Sequence, residues 1–548
     1  MRFHCGSDFP QSSIQLFLFH ICGTHFYGMI SLQSNAAFYF TVTAATLTGL
    51  TVITVASGVL LLRRVSQSVG LAEPTDIMLE QEKPDEKCPL FRQFPRLARK
   101  LAWRSLGACT KTPVHTCTLP SRRNGEQNMM FLVKREDLIS TKYGGNKVRT
   151  LQHQLAVCES RRDRGEIAFQ KLVSIGTAGS NQVVATVVHA QALGWDKTTD
   201  ASCINVAWLD KDKADLDNTL NMLSILSFPN VGFTYNWGHP FRVGRALRAL
   251  VGAWNQNDFV PMFLGGNCPT GVMGQASGIV ELAEQISTGE SPDPERIYLP
   301  VGSGCTIAGL ILGTVIARHK GLPALSHPNF KIVGCNVHHG IAMLDRLIGL
   351  HVNPLLRFLP ATITHSVLGA CRALRQLGGP DLENECLYFI RHYVDIRSDA
   401  NVVGTYGGHS PITRETARHY DATGQVTDYQ TCREENDLWI CGHFVAKALH
   451  PLLADLESNA EASTGEKTFL TQSPHYMLWM TKSAVQPLGE VDEWDKITNE
   501  NEAVQQWANE GKAECVRRPG QISTTDGSPE DYRSLMTQLP LEKKDKSQ

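Results

Sequence analysis

The chain lacks any excess of charge. Its 548 residues carry 52 Lys and Arg against 54 Asp and Glu, a formal net charge of −2. Without a basic surplus, the composition gives no indication of a nucleic-acid-binding surface. The 15 cysteines include no CxxC pair, and no group of Cys and His has the spacing typical of zinc ligands. We therefore expect reduced thiols, no metal site and no nucleic-acid partner.

Charged side chains are also absent from residues 9–62. Within this stretch, residues 38–62 form a mainly apolar run that Arg63 and Arg64 close. A helix of that length rises about 1.5 Å per residue and spans roughly 37 Å, enough to cross a bilayer with some tilt. The run predicts a single-pass transmembrane helix, and the basic pair after it favours a cytosolic catalytic region. A cleaved signal peptide is the alternative, although its apolar region is usually shorter and follows a basic start.

Composition divides the chain into three parts. We interpret residues 1–95 as the membrane anchor followed by a linker, because the segment 71–95 mixes Pro, Glu and Lys. Residues 96–485 form the predicted catalytic region, with a smaller domain at about 150–265. Residues 486–548 are polar and are predicted to be a disordered tail.

Short apolar runs alternate with helical stretches between about residues 130 and 455. Predicted strands include 172–175, 203–207, 296–301 and 331–335. This alternation is typical of an α/β fold in which parallel-rich sheets are flanked by helices.

A lysine directly after a glycine turn is the first candidate for chemistry. Gly144 and Gly145 allow the backbone to turn tightly before Asn146. Lys147 follows at the start of a helical pattern. An amine held there can lose solvent, lower its pKa and attack a carbonyl carbon. A surface lysine after a turn is the alternative, and for a lone lysine it is the more common case.

A second pattern places small polar residues between a strand and a helix. The predicted strand at 172–175 is followed by small residues, and the next helical pattern begins at Ser180 or Asn181. The pattern indicates a hydroxyl and an amide at a ligand, with the helix amino end behind them. Ser180 is also a good N-cap, and the two roles are compatible.

A third pattern is a strand that runs into a glycine-rich loop and a helix. The loop consists of Gly302, Ser303, Gly304, Cys305 and Thr306. Consecutive backbone N–H groups and the helix dipole form an anion site there. The spacing is neither a Walker A loop nor a GxGxxG fingerprint, so it does not imply a nucleotide; a structural glycine turn is the alternative. A phosphate loop together with an activated lysine indicates pyridoxal phosphate.

Four segments, in this order and spacing, resemble the fold type II pyridoxal-phosphate enzymes of the tryptophan synthase β-like superfamily. They are 134–137, 144–147, 180–182 and 302–306. Two further segments, 265–281 and 404–407, fit the same pattern. The resemblance is greatest to the 1-aminocyclopropane-1-carboxylate deaminase and D-cysteine desulfhydrase family and covers about 110–480. It implies a two-domain α/β fold, pyridoxal phosphate as cofactor, a small amino acid as substrate and a homodimer.

The resemblance also implies roles for single residues. Lys147 would bind the cofactor covalently and then move protons, and Asn181 would bond the cofactor's ring hydroxyl. The loop from Gly302 to Thr306 would hold the phosphate, and Tyr406 would lie over the substrate. The catalytic residues would be Lys147, Ser180 and Tyr406. The substrate-binding residues would be Ser180, Asn181 and Gln182.

The C-terminal motifs depart from the family pattern. Tyr-(Glu or Ser)-Gly-Lys corresponds to 444–447, where Val445 stands at the position of the deaminase glutamate. His-(Thr or Leu)-Gly-Gly corresponds to 472–475, which keeps a hydroxyl at Ser473. A hydroxyl leaves a pyridine nitrogen nearly neutral, whereas a carboxylate keeps it protonated. We therefore expect D-cysteine desulfhydrase-like β-elimination, with a 1-aminocyclopropane-1-carboxylate deaminase or a non-catalytic cofactor-binding homologue as alternatives.

Overall fold

The computed structural model describes most of the chain between residues 71 and 487. The described residues are 71–121, 128–165, 171–177, 179–194, 203–208, 218, 221–222, 224–225, 228, 231–235, 259–262, 264–338, 358–404, 408–430, 438–462, 475–483, 485–487 and 523–524. They belong to the unit Val65–Gln548. The predicted transmembrane run at 38–62 lies outside them. Within the described part, no helix is both long and apolar enough to cross a membrane.

The strands of the described part form three sheets. In chain order they are β1 Val114–Pro120, β2 Asn128–Lys134, β3 Lys171–Thr177, β4 Cys203–Trp208, β5 Val231–Tyr235, β6 Phe259–Met262, β7 Arg296–Val301, β8 Lys331–Asn336, β9 Val394–Arg397, β10 Gln425–Asp428, β11 Tyr476–Trp479, β12 Val485–Gln486 and β13 Ser523–Thr524. A seven-stranded sheet has the order β10-β1-β2-β11-β7-β8-β9, a four-stranded sheet has the order β5-β4-β3-β6, and β12 pairs with β13.

The seven-stranded sheet is mainly parallel. β2, β11, β7, β8 and β9 are parallel neighbours, whereas β1 is antiparallel to both β2 and β10. The late strand β11 lies between two early ones, with Met477 opposite Leu132 of β2 and opposite Ile297 of β7. Because the parallel strands run in one direction, the residues that follow them meet at one edge of the sheet.

The four-stranded sheet is parallel throughout. Its strands fall within the predicted smaller domain at about 150–265, whose boundaries stay a prediction. The strands predicted from apolar runs are present as β3, β4, β7 and β8, each differing from the prediction by two residues or fewer at either end. The predicted α/β class with parallel-rich sheets is therefore confirmed.

Helices flank the seven-stranded sheet on both faces. The helices of the described part are α1 Asp76–Glu82, α2 Pro84–Lys87, α3 Pro89–Gln93, α4 Lys147–Asp163, α5 Asn181–Ala192, α6 Pro269–Ser287, α7 Cys305–His319, α8 Phe358–Gln376, α9 Glu383–Tyr393, α10 Ala400–Val403, α11 Pro411–Thr423 and α12 Val445–Ala462. Short 3₁₀ turns span Pro95–Arg99, Glu136–Leu138 and Leu264–Gly266. Along β7, Ile297 and Leu299 belong to the core formed with α6 and α7, whereas Tyr298 belongs to the core formed with α12. This alternation follows from the two-residue period of a strand.

The prediction of a linker at 71–95 is wrong for much of that segment. Three short helices, α1 to α3, occupy it, and α2 and α3 each begin with a proline at their first position. Proline is favoured there because the first helical N–H has no partner within the helix. Leu90 and Phe91 are fully buried in the core that contains α6, so this segment is part of the folded region.

The charged run after β2 forms a buried network. Lys134 Nζ donates to Glu281 Oε1 at 2.8 Å, and Arg149 donates to Glu136 at 2.6 Å and to Glu281 at 2.9 Å. Burial alone would raise the pKa of Glu281, but Arg149 and Lys134 lower it to about 2. These bonds tie β2, α4 and α6 together, and loss of one partner from such a network costs about 3–5 kcal/mol. Lys134 is thus a structural cation.

Candidate active site

Three loops meet at the carboxyl edge of the seven-stranded sheet. Gly145 N donates to Glu136 O at 2.9 Å, in the 3₁₀ turn that follows β2. Asn146 N donates to Thr481 O at 3.3 Å, just beyond β11. Gly144 N donates to Ser483 Oγ at 3.0 Å. The loop before α4 is therefore held on both sides by segments that the sheet positions.

This loop requires glycine at two successive positions. A Cβ at Gly144 would lie 2.0 Å from the carbonyl oxygen of Asp137. Gly145 has a φ of 87° and its Cβ would lie 2.6 Å from the carbonyl oxygen of Thr481. Since side chains do not approach backbone atoms so closely, the Gly-Gly pair is what allows the residues before Lys147 to enter the site.

Lys147 is the first residue of α4 and is partly buried. Its Nζ donates to the carbonyl oxygen of Gly265 at 3.2 Å. Burial lowers the pKa of Lys147, and the nearby Cys305 thiol acts in the opposite direction. A lowered pKa increases the fraction of neutral amine, which is the nucleophilic form. The predicted reactive lysine therefore has the environment that its chemistry needs.

The predicted phosphate loop begins where β7 ends, next to Lys147. Gly304 has a φ of 83° and precedes α7, and it makes no side-chain cap. A Cβ at Gly265 would lie 2.2 Å from Ser303 Oγ and 3.6 Å from Lys147 Nζ. The amino end of α7, with its backbone N–H groups and helix dipole, is therefore close to the lysine amine and suited to bind an anion.

Side chains from two neighbouring segments fix this loop. Asn146 Nδ2 donates to Thr306 Oγ1 at 2.7 Å, and Asn267 Nδ2 donates to Ser303 O at 2.5 Å. Burial raises the pKa of the Cys305 thiol to about 12. We infer that Cys305 contributes its backbone to the loop, since its thiol stays protonated at neutral pH.

The predicted polar residues before α5 lie beside the same turn. Ser180 precedes α5, but its hydroxyl accepts no hydrogen bond from that helix, so it is not used as a cap. Asn181 Oδ1 accepts from Tyr143 OH at 2.9 Å. Gln182 Oε1 is buried without a hydrogen-bond partner in the described part of the structure. A Cβ at Gly266 would lie 3.3 Å from this atom, so Gln182 offers a buried acceptor near Gly265 and Lys147.

Two predicted site residues, Tyr406 and Ser473, lie outside the described residues. The strand after Ser473 begins with Tyr476 opposite Arg296, and Glu295 N donates to His475 O at 2.9 Å. These contacts are at the amino ends of β11 and β7, whereas the phosphate loop lies at their carboxyl ends. The described hydroxyl residues just beyond the carboxyl end of β11 are Thr481 and Ser483, and the Ser483 hydroxyl accepts from Gly144 N.

Sequence reasoning did not identify the segment after β11 as part of the site. The segment 480–483 shares one residue, Thr481, with the His-(Thr or Leu)-Gly-Gly motif, and Met480, Lys482 and Ser483 replace the other three. The replacement of both motif glycines, by Lys482 and Ser483, obscured this match. The signal that could have revealed it was the short apolar run of β11 directly before a hydroxyl residue.

The donor set fits pyridoxal phosphate. Lys147 supplies an amine with lowered pKa for an aldehyde, and the amino end of α7 supplies backbone N–H groups for a phosphate. Gln182 supplies an orphaned buried acceptor, and Asn181 supplies an amide. The lysine matches the aldehyde of the cofactor, the helix end matches its phosphate, and the two amide side chains match its polar ring substituents and the substrate. The fold brings these groups together from separate segments of the chain.

Comparison with known proteins finds relatives in sequence and a similar solved structure. The chain is 29% identical over 310 residues to nocardicin C-9' epimerase from Nocardia uniformis subsp. tsuyamanensis, covering 54% of this chain and 85% of the epimerase. It is 26% identical over 236 residues to an inferred 1-aminocyclopropane-1-carboxylate deaminase from Pyrococcus furiosus, covering 42% of this chain and 62% of that protein. The solved structure of an ACC deaminase homologue aligns with a TM-score of 0.47 and 19% identity, over 74% of this chain and 98% of that one. No family model matches the chain.

The two sequence relatives confirm the resemblance predicted from the motifs, and with it the predictions of an enzyme and of its cofactor. The site and the sequence relatives together define a pyridoxal-phosphate-dependent enzyme of the lyase and deaminase class. Within that class, the chain is related to the 1-aminocyclopropane-1-carboxylate deaminase-like proteins.

Proposed function

We propose that the protein is a lyase that catalyses β-elimination from a small amino acid, as D-cysteine desulfhydrases do, with release of sulfide, pyruvate and ammonia. The observation that supports this proposal most directly is the position of Lys147. Its amine has a lowered pKa, and it lies beside Gly265 and Ser303 at the start of the phosphate loop. One amine can therefore hold the cofactor and reach a substrate bound next to it.

Each part of the site has a role in this proposal. Pyridoxal phosphate, when bound, supplies an electron-withdrawing ring that weakens bonds at the substrate's Cα. The amino end of α7, from Gly304 onward, would hold the phosphate. Lys147 would hold the cofactor and, as a neutral amine, would accept a proton at Nζ and return it. Asn181 would face the ring oxygen, while Ser180 and Gln182 would orient the substrate.

The residue at the ring nitrogen bears on the choice of reaction. Val445, at the position of the deaminase glutamate, is fully buried in an apolar core and offers no hydrogen bond. We assign the ring nitrogen to the hydroxyl of Thr481 rather than to Ser473, because Thr481 follows β11 at the edge that carries Lys147. A hydroxyl leaves the nitrogen nearly neutral, so the ring withdraws fewer electrons. That suits the departure of a thiolate better than the opening of a cyclopropane ring.

Epimerisation is a second candidate, because the chain is 29% identical to an epimerase. Epimerisation and β-elimination both begin with removal of the Cα proton, and they differ in what happens next. Return of the proton on the other face inverts the substrate, whereas loss of a leaving group from Cβ gives elimination. Two further candidates are a 1-aminocyclopropane-1-carboxylate deaminase and a non-catalytic protein that binds the cofactor.

We also propose a homodimer anchored to a membrane through residues 38–62, with the catalytic region in the cytosol. The charge-free run that Arg63 and Arg64 close supports the anchor, and the homodimer follows from the family resemblance alone.

The full-length purified protein distinguishes these functions. An absorbance scan first establishes whether the cofactor is bound. D-cysteine, L-cysteine and 1-aminocyclopropane-1-carboxylate are then supplied in deuterated water, and sulfide, keto acid and deuterium at Cα are measured. Sulfide and pyruvate from D-cysteine support β-elimination. Deuterium incorporation with inversion and no sulfide indicates an epimerase, keto acid from the cyclopropane substrate indicates a deaminase, and a visible band without turnover indicates a silent binder.

A further inference from the structure

The amide oxygen of Asn181 is the centre of a buried polar cluster. It accepts from Tyr143 OH at 2.9 Å, from Asn221 Nδ2 at 2.8 Å and from Lys482 Nζ at 3.3 Å. Tyr143, Asn221 and Lys482 are each buried, whereas Asn181 is partly exposed. An amide group can bond through either its oxygen or its nitrogen, so the direction of these bonds decides which atom Asn181 presents on its open side.

The direction of the bonds is fixed at both ends of the cluster. Asn221 Nδ2 donates to the carbonyl oxygen of Gly179 at 2.9 Å, and a carbonyl can only accept. Asn221 Oδ1 accepts from Lys482 Nζ at 2.9 Å, and an ammonium can only donate. The amide of Asn221 therefore has one possible orientation. Because its Nδ2 also faces Asn181, the atom of Asn181 that meets it must be the oxygen.

Lys482 is held firmly in this position. It is 1% exposed, and its Nζ lies 4.2 Å from the centre of the Trp439 ring, a favourable distance for a cation–π contact. The backbone around Lys482 lies against Gly145, since a Cβ at that glycine would be 3.5 Å from the Lys482 carbonyl carbon. The ammonium thus enters from the same segment that supports the loop before Lys147.

We propose that Lys482 is a positioning residue. It fixes the amide of Asn181 so that Nδ2, with its two N–H donors, faces the cofactor's ring oxygen. This inference rests on the proposed function, in which Asn181 contacts that oxygen. The ring oxygen is an acceptor when the cofactor is bound, and an Asn181 turned the other way would present a second acceptor to it. Lys482 acts through Asn221 and Asn181 and does not touch the substrate.

The test replaces Lys482 by an unbranched apolar side chain of similar length, Lys482→Met, in the full-length protein. Without the ammonium, Asn221 Oδ1 and Asn181 Oδ1 each lose a donor, and only the Gly179 carbonyl and the Tyr143 hydroxyl still favour the original orientation of the two amides. The dissociation constant of pyridoxal phosphate should rise about tenfold or more, as for the loss of a hydrogen bond to a charged group. The visible absorbance band of the bound cofactor should shift, while borohydride reduction still labels Lys147. Unchanged affinity and an unchanged band, with only a lower melting temperature, would show a merely structural role and overturn the proposal.

Asn221→Asp provides a second test with a side chain of the same size, and it also removes the bond to the Gly179 carbonyl. The carboxylate still pairs with Lys482 but can only accept, so it turns the Nδ2 of Asn181 toward itself. The same loss of affinity and the same band shift are expected. Tyr143→Phe is the matched comparison, because it removes one donor and leaves the direction of the other bonds intact. Its cofactor affinity and absorbance band should change clearly less than those of Asn221→Asp. An Asn221→Asp protein with the wild-type band contradicts the proposal. A wild-type protein with no cofactor band contradicts the proposed function instead.

Discussion

Lys147 Nζ donates to the carbonyl oxygen of Gly265 at 3.2 Å, across 118 residues of sequence. Gly265 has a φ of 63° and lies directly against Ser303. One turn of backbone therefore contacts both the reactive amine and the loop that would bind the phosphate. This arrangement fixes the distance between the Lys147 amine and the phosphate loop, which would bind the aldehyde and the phosphate of the same cofactor.

Lys147 should carry the cofactor. Borohydride reduction of the loaded protein followed by peptide mapping is expected to label this residue. Lys147→Ala should abolish turnover, while non-covalent binding of pyridoxal phosphate remains because the amino end of α7 is intact. A label on Lys134 or Lys447 would contradict the assignment of Lys147. Lys134 is the more informative comparison, since its amine is committed to Glu281 at 2.8 Å.

Gly265→Ala should weaken cofactor binding by more than tenfold. The new Cβ would lie 2.2 Å from Ser303 Oγ, so the phosphate loop has to move. Gly289→Ala is the matched control, because Gly289 has a similar φ of 77° with no atom within 4 Å of its Cβ position. Both variants should lose about 1–2 kcal/mol of stability from the left-handed backbone, but the control should bind the cofactor normally. Titration of the cofactor-free proteins measures the difference, and equal affinities would contradict the proposed contact.

Thr481→Val should shift the cofactor's absorbance band and slow sulfide release from D-cysteine, since it removes a hydroxyl from the edge of the sheet where Lys147 lies. Ser473→Ala should leave both properties as in the wild type. The two variants are compared by absorbance scan and by sulfide assay. The opposite result would assign the ring nitrogen to Ser473 instead.

Stability should fall as the pH falls from about 6.5 toward 4. Burial lowers the pKa of His153 and of His189 to about 4, and a contact with a backbone carbonyl opposes this shift in each case. Between pH 6.5 and about 4 the unfolded chain binds protons that the folded chain does not, so the free energy of unfolding decreases by up to about 1.4 kcal/mol per pH unit for each histidine. A His153→Gln, His189→Gln protein should show a shallower decrease. Urea denaturation at pH 7 and pH 5 measures the free energy of unfolding. An equal decrease in that free energy in the wild type and in the double variant would reject the prediction.

Residues 38–62 should hold the protein in a membrane. The full-length protein is expected to stay in the pellet after extraction with alkaline carbonate, because a long apolar run without charges partitions into the bilayer. A variant lacking residues 1–70 should be soluble with unchanged chemistry. Release of the full-length protein into the supernatant would reject an integral anchor.

The glycine loops were predictable from the sequence because they follow local rules. A Cβ at Gly144 or at Gly145 would lie 2.0 or 2.6 Å from a backbone carbonyl oxygen, so only glycine fits at these positions. The strand that leads to Gly302 was predictable for a similar reason, since a buried parallel strand has an apolar run of its own. Local pattern therefore predicted the glycine turn before Lys147 and the glycine-rich loop after β7, whereas their roles at a cofactor stay a prediction.

The rest of the site depends on contacts that have no local pattern. Ser483 accepts from Gly144 N across 339 residues, and nothing in the sequence around either residue indicates the other. The charged run that begins at Lys134 has a structural role, because its residues pair with Arg149 and Glu281 in the core. A charged cluster beside a glycine turn does not by itself show whether its partners are protein groups or ligands.

The position of β11 between β2 and β7 has a consequence for how the enzyme is made. The chain is synthesised from its amino end, so β2 and β7 leave the ribosome long before residues 476–479 can fill the space between them. Until then both strands have an unpaired edge, which exposes the nascent chain to aggregation and to chaperones. Thr481 and Ser483, which hold the loop before Lys147, emerge directly after this strand. A prematurely terminated product would therefore contain Lys147 and the whole phosphate loop and still lack the support that positions them, so the cell would make no active truncated form.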